Sequence, residues 1–252
     1  MIPKNSYHFS IDDVFDSLIE VSDKKIPLFD QLFFKFLKKI HEEFYVNIGL
    51  YLFYQKKIKG RLRTLKEVSN LKTQLEKIDW LFFAPHALEY EIPPYAQSID
   101  EQINTFEKIY TEIDRFAGKS FHTKYIRLQY YSESFELVEY FKTKEVEALF
   151  TTDREIGSHR MPTEIGFKLI EKGYIKYKGM DFIRTQFRVE FFAKEEISEE
   201  EVLIRMKNAF NKYGFIVFYT HEVDIMNEKG RKMSKLMFKA TKKLNLVSIK
   251  KP

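Results

Sequence analysis

The chain alternates short runs of aromatic and β-branched residues with longer amphipathic segments. Short apolar runs predict strands at residues 7–11, 44–54, 80–84, 124–128, 147–151 and 215–219. Apolar positions recurring every three or four residues predict helices at residues 27–44, 65–75, 98–116, 134–142, 198–211 and 229–244. The clearest helix begins at Ser98 with Glu101 three residues later, which is a capping box, and ends before Gly118.

Strands and helices alternate over the whole length, which predicts a parallel sheet with helices outside it. Either a barrel or an open, doubly wound sheet has this pattern. No repeat of fixed period and no linker-like segment divides the chain. At 252 residues, its length is one that α/β barrels reach as a single unit. We therefore expect a single domain over residues 1–252.

Composition excludes several classes of protein. The chain has no Cys, which rules out disulfide scaffolds, cysteine-ligated metal centres and cysteine nucleophiles. With 25 Phe, 15 Tyr and one Trp it is rich in aromatic residues, and we expect most of them to fill the core. No apolar run approaches the roughly 18 residues of a membrane span, and no signal-peptide stretch begins the sequence. We expect a cytoplasmic protein.

The charge balance is mildly basic, with 42 Lys and Arg against 37 Asp and Glu, a net charge of +5. One cluster is dense, and it consists of Lys56, Lys57, Lys59, Arg61 and Arg63. Such runs are usually solvated, so we interpret it as an exposed loop. Contact with an anionic polymer or a membrane surface is the alternative, and we expect no nucleic-acid partner.

Ionisable side chains follow five of the predicted strands. They are Asp12 with Asp13, His86, Arg127 with Tyr130, Asp153, and His221. In parallel α/β folds the chemistry collects at the carboxyl ends of strands, so these groups are candidates for one active site. Each also has a structural explanation. The Asp pair could cap a helix, His86 could be a loop histidine, Arg127 a structural ion-pair partner, and His221 a surface partner of Glu222.

Taken in order, these residues resemble the motifs of the NodB-homology polysaccharide deacetylases, carbohydrate esterase family 4. Residues 10–14, Ser-Ile-Asp-Asp-Val, resemble the family's Thr-Phe-Asp-Asp-Gly. Residues 86–90 resemble His-Ser/Thr-x-x-His, with Tyr90 in place of the second His. Residues 127–130 resemble Arg-x-Pro-Tyr/Trp, and residues 218–221 resemble Leu-x-x-His. The resemblance extends from about Tyr7 to His221.

The resemblance implies a distorted (β/α)7 barrel that removes N- or O-acetyl groups from a sugar or polysaccharide. It makes Asp12 the general base and His221 the general acid, and Asp153 lies where the family often has a group orienting that His. Arg127 would orient Asp12, and the Tyr130 backbone N–H would help to stabilise the oxyanion. Asp13 and His86 would hold a divalent metal, with zinc as the first candidate.

The tyrosine at position 90 leaves the third metal ligand open. A catalytic metal usually has about three protein ligands, and a phenol is a poor substitute for imidazole at neutral pH. Glu89 or Glu91 could complete an Asp/His/Glu site, or Tyr90 itself could contribute. If none does, the site would hold no metal. The leading hypothesis is therefore a divergent deacetylase, and the alternative is an inactive relative that only binds carbohydrate.

Overall fold

The computed structural model describes residues 2–154 and 158–250 of the chain. The strands in this part are β1 (Ser6–Val14), β2 (Ile48–Phe53), β3 (Gln55–Ile58), β4 (Arg61–Thr64), β5 (Leu81–Ala87), β6 (Tyr125–Arg127), β7 (Ala148–Thr151), β8 (Tyr174–Tyr177), β9 (Met180–Arg184), β10 (Phe187–Arg188), β11 (Phe215–His221) and β12 (Val247–Ser248). The α-helices are α1 (Asp16–Lys24), α2 (Leu32–Phe44), α3 (Lys72–Leu75), α4 (Ile99–Phe116), α5 (Val138–Thr143), α6 (Thr163–Lys172), α7 (Val189–Lys194), α8 (Glu199–Tyr213), α9 (Glu222–Met226) and α10 (Glu228–Lys243).

Parallel strands form two hydrogen-bonded ladders that together make a distorted barrel. One ladder has the order β10-β11-β1-β2-β5, and the other contains β6-β7-β9 with β8 added antiparallel to β9. The chain runs from β9 directly into β10, where the Gln186 N–H donates to the Val217 carbonyl at 2.9 Å. On the other side the Thr123 N–H donates to the Phe83 carbonyl at 3.1 Å. Counting β9 and β10 together, and leaving aside the short β12 that pairs with the start of β1, the described strands supply seven parallel strands around the barrel. The predicted (β/α)7 fold is confirmed.

The helices cover the outside of the barrel and bury the residues that the periodicity predicted. The capping box of Ser98 and Glu101 is present, which confirms the predicted start of α4. This helix turns Phe106, Ile113 and Phe116 inward, and the Phe116 ring packs edge-on against Phe83 of β5. Burial of one such side chain contributes about 1.5–3 kcal/mol. None of the described helices combines the length and the apolar character that a membrane crossing requires.

The single helix predicted for residues 65–75 is wrong. The structure has a 3-10 turn at Leu65–Glu67 and then the short helix α3. Between them the Ser69 N–H donates to the Ser22 hydroxyl at 2.9 Å, and the Asn70 side chain accepts the Lys72 N–H at 3.0 Å. These side-chain partners compete with helical hydrogen bonds and break the helix.

The strand predicted to stop before Pro85 instead continues to Ala87, so His86 lies within β5. A proline is tolerated here because β5 is the outer strand of its ladder. His86 therefore lies within a strand, at a shift in the β2–β5 register between Pro85 and Ala87, rather than in a loop.

The basic cluster is not an open loop. Its residues form the β3–β4 hairpin, which turns through Lys59 and Gly60 with positive φ values of 49° and 82°. Lys56 pairs with Asp16 at 2.5 Å, and Arg63 pairs with Asp23 at 2.8 Å. Arg61 pairs with Glu67 at 3.3 Å. Since three of its five cations have acidic partners, this hairpin offers less free positive charge than the sequence indicated.

Candidate active site

The predicted strand-end residues, except Asp153, meet at one cavity of about 190 Å³ at the carboxyl end of the barrel. Its walls are formed by Asp12, Asp13, His86, Tyr90, Arg127, Leu128, Gln129, Tyr130, Tyr131, Arg154, Arg188, Tyr219 and His221. Asp12 and His221 lie opposite each other in the parallel β1–β11 ladder. The pairing of strands thus brings together residues more than 200 positions apart in the sequence.

Asp12 and Asp13 both line the cavity although they are neighbours on one strand. Adjacent side chains of a regular strand point to opposite faces. Here the β1–β2 register shifts between Ile11 and Val14, and Asp13 has a left-handed backbone with φ of 61°. The irregularity lets the second carboxylate join the first at the cavity wall, in the manner of a β-bulge beside an active site.

Asp12 is fully buried and forms an ion pair with Arg127, whose Nε lies 3.2 Å from its Oδ2. Arg127 also donates to the Thr185 hydroxyl at 2.5 Å, and its guanidinium lies 4.0 Å from the centre of the Tyr219 ring. Burial raises the pKa of Asp12, and the Arg127 charge opposes that rise without cancelling it. Arg127 is thereby placed to fix the orientation of this carboxylate.

His86 is oriented by a backbone carbonyl and directed at Asp13. Its Nδ1–H donates to the Arg127 carbonyl at 2.7 Å, and its Nε2 lies 3.2 Å from Asp13 Oδ1. Burial raises the pKa of Asp13, but the contact with His86 and the charges around it lower the pKa further, so the net shift is downward. The Asp13 carboxylate is therefore ionised at neutral pH.

His221 lies across the cavity between two carboxylates. Its Nδ1 is 3.1 Å from Glu190 Oε1 and 3.6 Å from Asp224 Oδ2. Burial lowers its pKa, but these two acids, with the charge of Asp13, overcome burial and raise the pKa well above the ordinary value. His221 is therefore an imidazolium at neutral pH.

Glu190 and Asp224 are site residues that the sequence interpretation missed. Asp224 follows His221 by three positions, a spacing that could have suggested contact at the start of α9. Glu190 lies on α7 and carries no such local signal. Asp153, at the position expected to orient His221, is bound instead by Arg188 at 2.6 Å and by the Tyr131 hydroxyl at 2.7 Å.

Glu222 is not a surface partner of His221, since it is buried. Its carboxylate accepts the backbone N–H groups of Phe15, Asp16 and Ser17 at 2.9, 3.0 and 2.6 Å. These groups open α1, which has no side-chain cap of its own. Glu222 therefore ties the segment after Asp13 to the segment after His221.

Two consecutive tyrosines shape another wall of the cavity. Tyr130 and Tyr131 both have left-handed backbones, with φ of 51° and 55°. Tyr131 is buried, and its hydroxyl contacts that of Tyr219 at 2.7 Å, whereas Tyr130 is 37% exposed. Strained conformations of non-glycine residues concentrate at functional sites.

Neither Glu89 nor Glu91 joins Asp13 and His86 in a group of three potential metal ligands among the described residues. Tyr90 lines the cavity, but its side chain is 54% exposed and its ring lies 6.0 Å from that of Tyr130. Glu89 and Glu91 do not line the cavity. Over residues 2–154 and 158–250, the one group of three potential ligands at metal-binding separation is Glu190, His221 and Asp224.

No model of a known protein family matches the chain, and no curated protein matches it significantly in sequence. Solved structures do match. A 4-α-glucanotransferase from Thermococcus litoralis is 13% identical with a TM-score of 0.51, over 97% of this chain and 38% of that one. A polysaccharide deacetylase from Bacillus cereus is 11% identical with a TM-score of 0.49, over 98% and 92% of the two chains. A pseudoenzyme of carbohydrate esterase family 4 from Bacillus anthracis is 10% identical with a TM-score of 0.46, over 98% and 64%.

Polysaccharide deacetylases are among the structures similar to this chain. At these identities the likeness concerns the fold. The chain spans little more than a third of the glucanotransferase and under two thirds of the pseudoenzyme.

Proposed function

We propose that this chain is a divergent metal-dependent hydrolase that removes acetyl groups from an N- or O-acetylated sugar. The observation that carries the proposal is the pairing of Asp12 with His221 on adjacent strands, with Asp13 and His86 beside them in one cavity. The motif resemblance supports an acetylated carbohydrate as the substrate class. One core cluster includes residues from Tyr7 to Leu246, which supports the further proposal that residues 1–252 form one domain.

Asp13 and His86 fit a divalent cation as two of its ligands. Because His86 donates its Nδ1–H to a carbonyl, a neutral ring has its lone pair at Nε2, directed at an ionised carboxylate. Binding of a proton or a metal ion by this pair would relieve the repulsion of the lone pair and the carboxylate. A carbonyl partner on the far nitrogen is also the usual support of a metal-binding histidine. When bound, the metal would polarise the acetyl carbonyl and acidify a water molecule.

Asp12 and His221 divide the proton transfers between them. Asp12 takes a proton from the attacking water, and its raised pKa makes it a stronger base than an exposed aspartate. Arg127 keeps it in place through the buried ion pair. His221 holds a proton on its ring and donates it to the departing amine or alcohol oxygen. The reaction needs one group that accepts a proton and one that donates a proton, and the surroundings of Asp12 and His221 suit these two roles.

A second function, carbohydrate binding without catalysis, is supported by one observation. Asp13 and His86 are two ligands, whereas a catalytic zinc usually has three from the protein. Tyr90 stands where the resemblance predicts the third, and its side chain is largely exposed. In this alternative the cavity and its tyrosines would bind the sugar, and no hydrolysis would follow.

Metal content and acetate release together test the proposal. The purified protein is analysed for zinc and other divalent metals and assayed against a panel of N- and O-acetylated sugars. We expect bound metal, acetate release that a chelator abolishes, and no release by Asp12→Asn with metal retained. A folded protein that binds sugar without metal and releases no acetate would instead support the binding function.

A further inference from the structure

A second cavity, of about 500 Å³, borders the two carboxylates that contact His221. We call it the outer cavity. Glu190 and Asp224 line the outer cavity and not the candidate active site, whereas His221 lines the active site and not the outer cavity. These three side chains, which we call the acid cluster, therefore separate the two cavities.

The donor atoms of the acid cluster are spaced like the ligands of a metal ion. His221 Nδ1 lies 3.1 Å from Glu190 Oε1 and 3.6 Å from Asp224 Oδ2, and the donor atoms of all three residues lie within 4.8 Å of one another. Ligands of a tetrahedral zinc ion, each about 2.0–2.2 Å from the metal, lie about 3.3 Å apart. The two measured separations bracket that value, so small side-chain movements would admit an ion.

Glu190 carries a buried oxygen that needs a partner. Its side chain is only 6% exposed, and its Oε2 has no hydrogen-bond partner among the described residues. A buried carboxylate oxygen without a partner has lost its hydration and gained nothing in return. A cation bound beside Glu190 would satisfy this oxygen as well as the one that faces His221.

The outer cavity gives a cation a route to the acid cluster that does not cross the candidate active site. Its charged wall residues are three acids and two lysines: Glu190, Asp224, Glu228, Lys194 and Lys229. The Lys229 ammonium lies 2.8 Å from Glu196, which offsets its charge. The wall is therefore acidic on balance, and it attracts cations toward His221.

We propose that Glu190, His221 and Asp224 form a second divalent-metal site, filled from the outer cavity, and that an ion bound there stops His221 from donating a proton. A zinc ion would have these three protein ligands and a water molecule in the fourth position. Binding exchanges the proton on His221 Nδ1 for the metal, and the proton passes to solvent. The site does not depend on the proposed function, whereas the loss of acetate release does rest on it.

A proton and a metal ion compete for His221. Glu190, Asp224 and the charge of Asp13 across the cavity favour the imidazolium, and Asp12 lies opposite on β1. The same carboxylates that hold the proton would bind the ion, so the proton occupies the cluster when metal is scarce. At neutral pH we therefore expect the acid cluster to fill only at zinc concentrations above those that fill the site proposed for the catalytic metal.

A permanent ion pair without metal is the other explanation of the acid cluster. It accounts for the 3.1 Å contact between His221 and Glu190. It leaves Asp224 at 3.6 Å, beyond hydrogen-bond distance, and Glu190 Oε2 without a partner among the described residues. A metal ion would engage both carboxylates, so the metal site is favoured.

Calorimetry tests the binding of the second ion. The full chain is freed of metal and titrated with zinc at neutral pH in two buffers of different ionisation enthalpy, so that released protons are counted. The variants are His221→Gln, Glu190→Gln and Asp13→Asn. Glu228→Gln, an exposed change in the wall of the same cavity, is the matched control. Circular dichroism checks that each variant is folded.

We expect the wild type to bind a second zinc ion with the release of about one proton. His221→Gln should bind the first ion only. Glu190→Gln should bind the second ion at least about tenfold more weakly, because the loss of a ligand outweighs the weaker hold on the competing proton. Asp13→Asn should still take up an ion in excess zinc, and Glu228→Gln should behave as the wild type does.

Acetate release provides the second readout, on the best substrate of the acetylated-sugar panel. Excess zinc should lower kcat by about a hundredfold or more, which is the usual contribution of a general acid. KM should change little, since the ion enters from the outer cavity. Relative to its own rate without excess zinc, Glu190→Gln should need at least about tenfold more zinc for the same inhibition.

The outcomes separate this inference from the proposed function. No second ion in the wild type, or a second ion that still binds in His221→Gln, would overturn the metal site. If His221→Gln does not fold, Asp224→Asn replaces it and should weaken the second ion as Glu190→Gln does. Zinc inhibition that raises KM and ignores Glu190→Gln would overturn the effect on His221. Absence of acetate release from every sugar would reject the deacetylase, and calorimetry would still decide the second site.

Discussion

His86 and His221 lie on opposite sides of one cavity, and their surroundings differ in ways that suit different tasks. His86 is almost fully buried and has a carbonyl at Nδ1 and one carboxylate at Nε2. His221 is about a quarter exposed and has two carboxylates at the same nitrogen, Nδ1. The first arrangement directs a ring nitrogen at the Asp13 carboxylate, as in a pair of metal ligands, and the second stabilises a proton on the ring.

The difference shows that acid partners alone do not identify a metal ligand. A histidine whose far nitrogen is fixed by a neutral carbonyl can offer its other lone pair to a metal. A histidine between two acids is held as imidazolium, which has no lone pair to offer. This is why we assign Asp13 with His86 to the metal and His221 to proton donation, although Glu190, His221 and Asp224 are the larger cluster.

The largest effect is expected when the Asp13 carboxylate, which faces His86, loses its charge. In Asp13→Asn the carboxylate that faces Nε2 is lost, so we expect metal content to fall from about one ion per chain to near zero. Acetate release should fall to background with it, since metal polarisation accounts for several kcal/mol of the barrier. Elemental analysis and an acetate assay measure the two effects.

Asp100→Asn, an exposed change at the start of α4, is the matched control and should keep both metal and activity. Glu89→Gln and Glu91→Gln are made in parallel. Metal loss in either would show that this carboxylate is the third ligand, and full metal retention in Asp13→Asn would contradict the assignment.

Removing the proton donor should have a smaller effect and a different signature. For His221→Gln we expect acetate release to fall by about a hundredfold to ten-thousandfold, the usual contribution of general acid–base catalysis. Metal content should stay unchanged, because Asp13 and His86 are untouched. Loss of metal in this variant, measured by elemental analysis, would place the ion at the Glu190 cluster instead.

The smallest effect concerns the pH dependence of the reaction. His221 is active when protonated, so activity is lost as pH rises through its pKa. Glu190→Gln removes a carboxylate 3.1 Å away, which lowers that pKa, and we expect the alkaline limb to move to lower pH. Asp224→Asn acts from 3.6 Å and should move it less. A pH–rate profile measures both changes.

Glu200→Gln, an exposed change on α8, should leave the alkaline limb where it is. If the limb moves upward in Glu190→Gln, or stays in place, the two carboxylates do not set the protonation of His221. That result would remove the physical basis for its role as the acid.

Much of the candidate site could be predicted because strand ends in a parallel sheet meet at one edge. Asp12, Asp13, His86, Arg127 and His221 each follow or end an apolar run, and all five line the cavity. The alternation of strands and helices predicted a parallel sheet but left a barrel and an open sheet as alternatives, and the motif resemblance supplied the choice of a barrel. Residues that belong to local patterns were therefore found without knowledge of the tertiary structure.

The features that were missed depend on tertiary contacts or on unusual backbone. Glu190 reaches His221 from another element, and no spacing in the sequence indicates that contact. The left-handed conformations of Asp13, Tyr130 and Tyr131 are held by the surrounding fold, and none of these residues is glycine. The broken helix at residues 65–75 depends on Ser22, which lies far away in the sequence.

The contacts of Glu222 with the start of α1 bear on the order in which the molecule can be assembled. During synthesis β1 can pair with β2 early, but its other neighbour, β11, emerges only after most of the chain. Until then one edge of β1 has no partner strand, and the N–H groups of Phe15, Asp16 and Ser17 lack their cap. A nascent chain therefore has the strand that carries Asp12 and Asp13 in place long before the cavity around them is complete. Chaperones that shield open strand edges would find this strand exposed for much of translation.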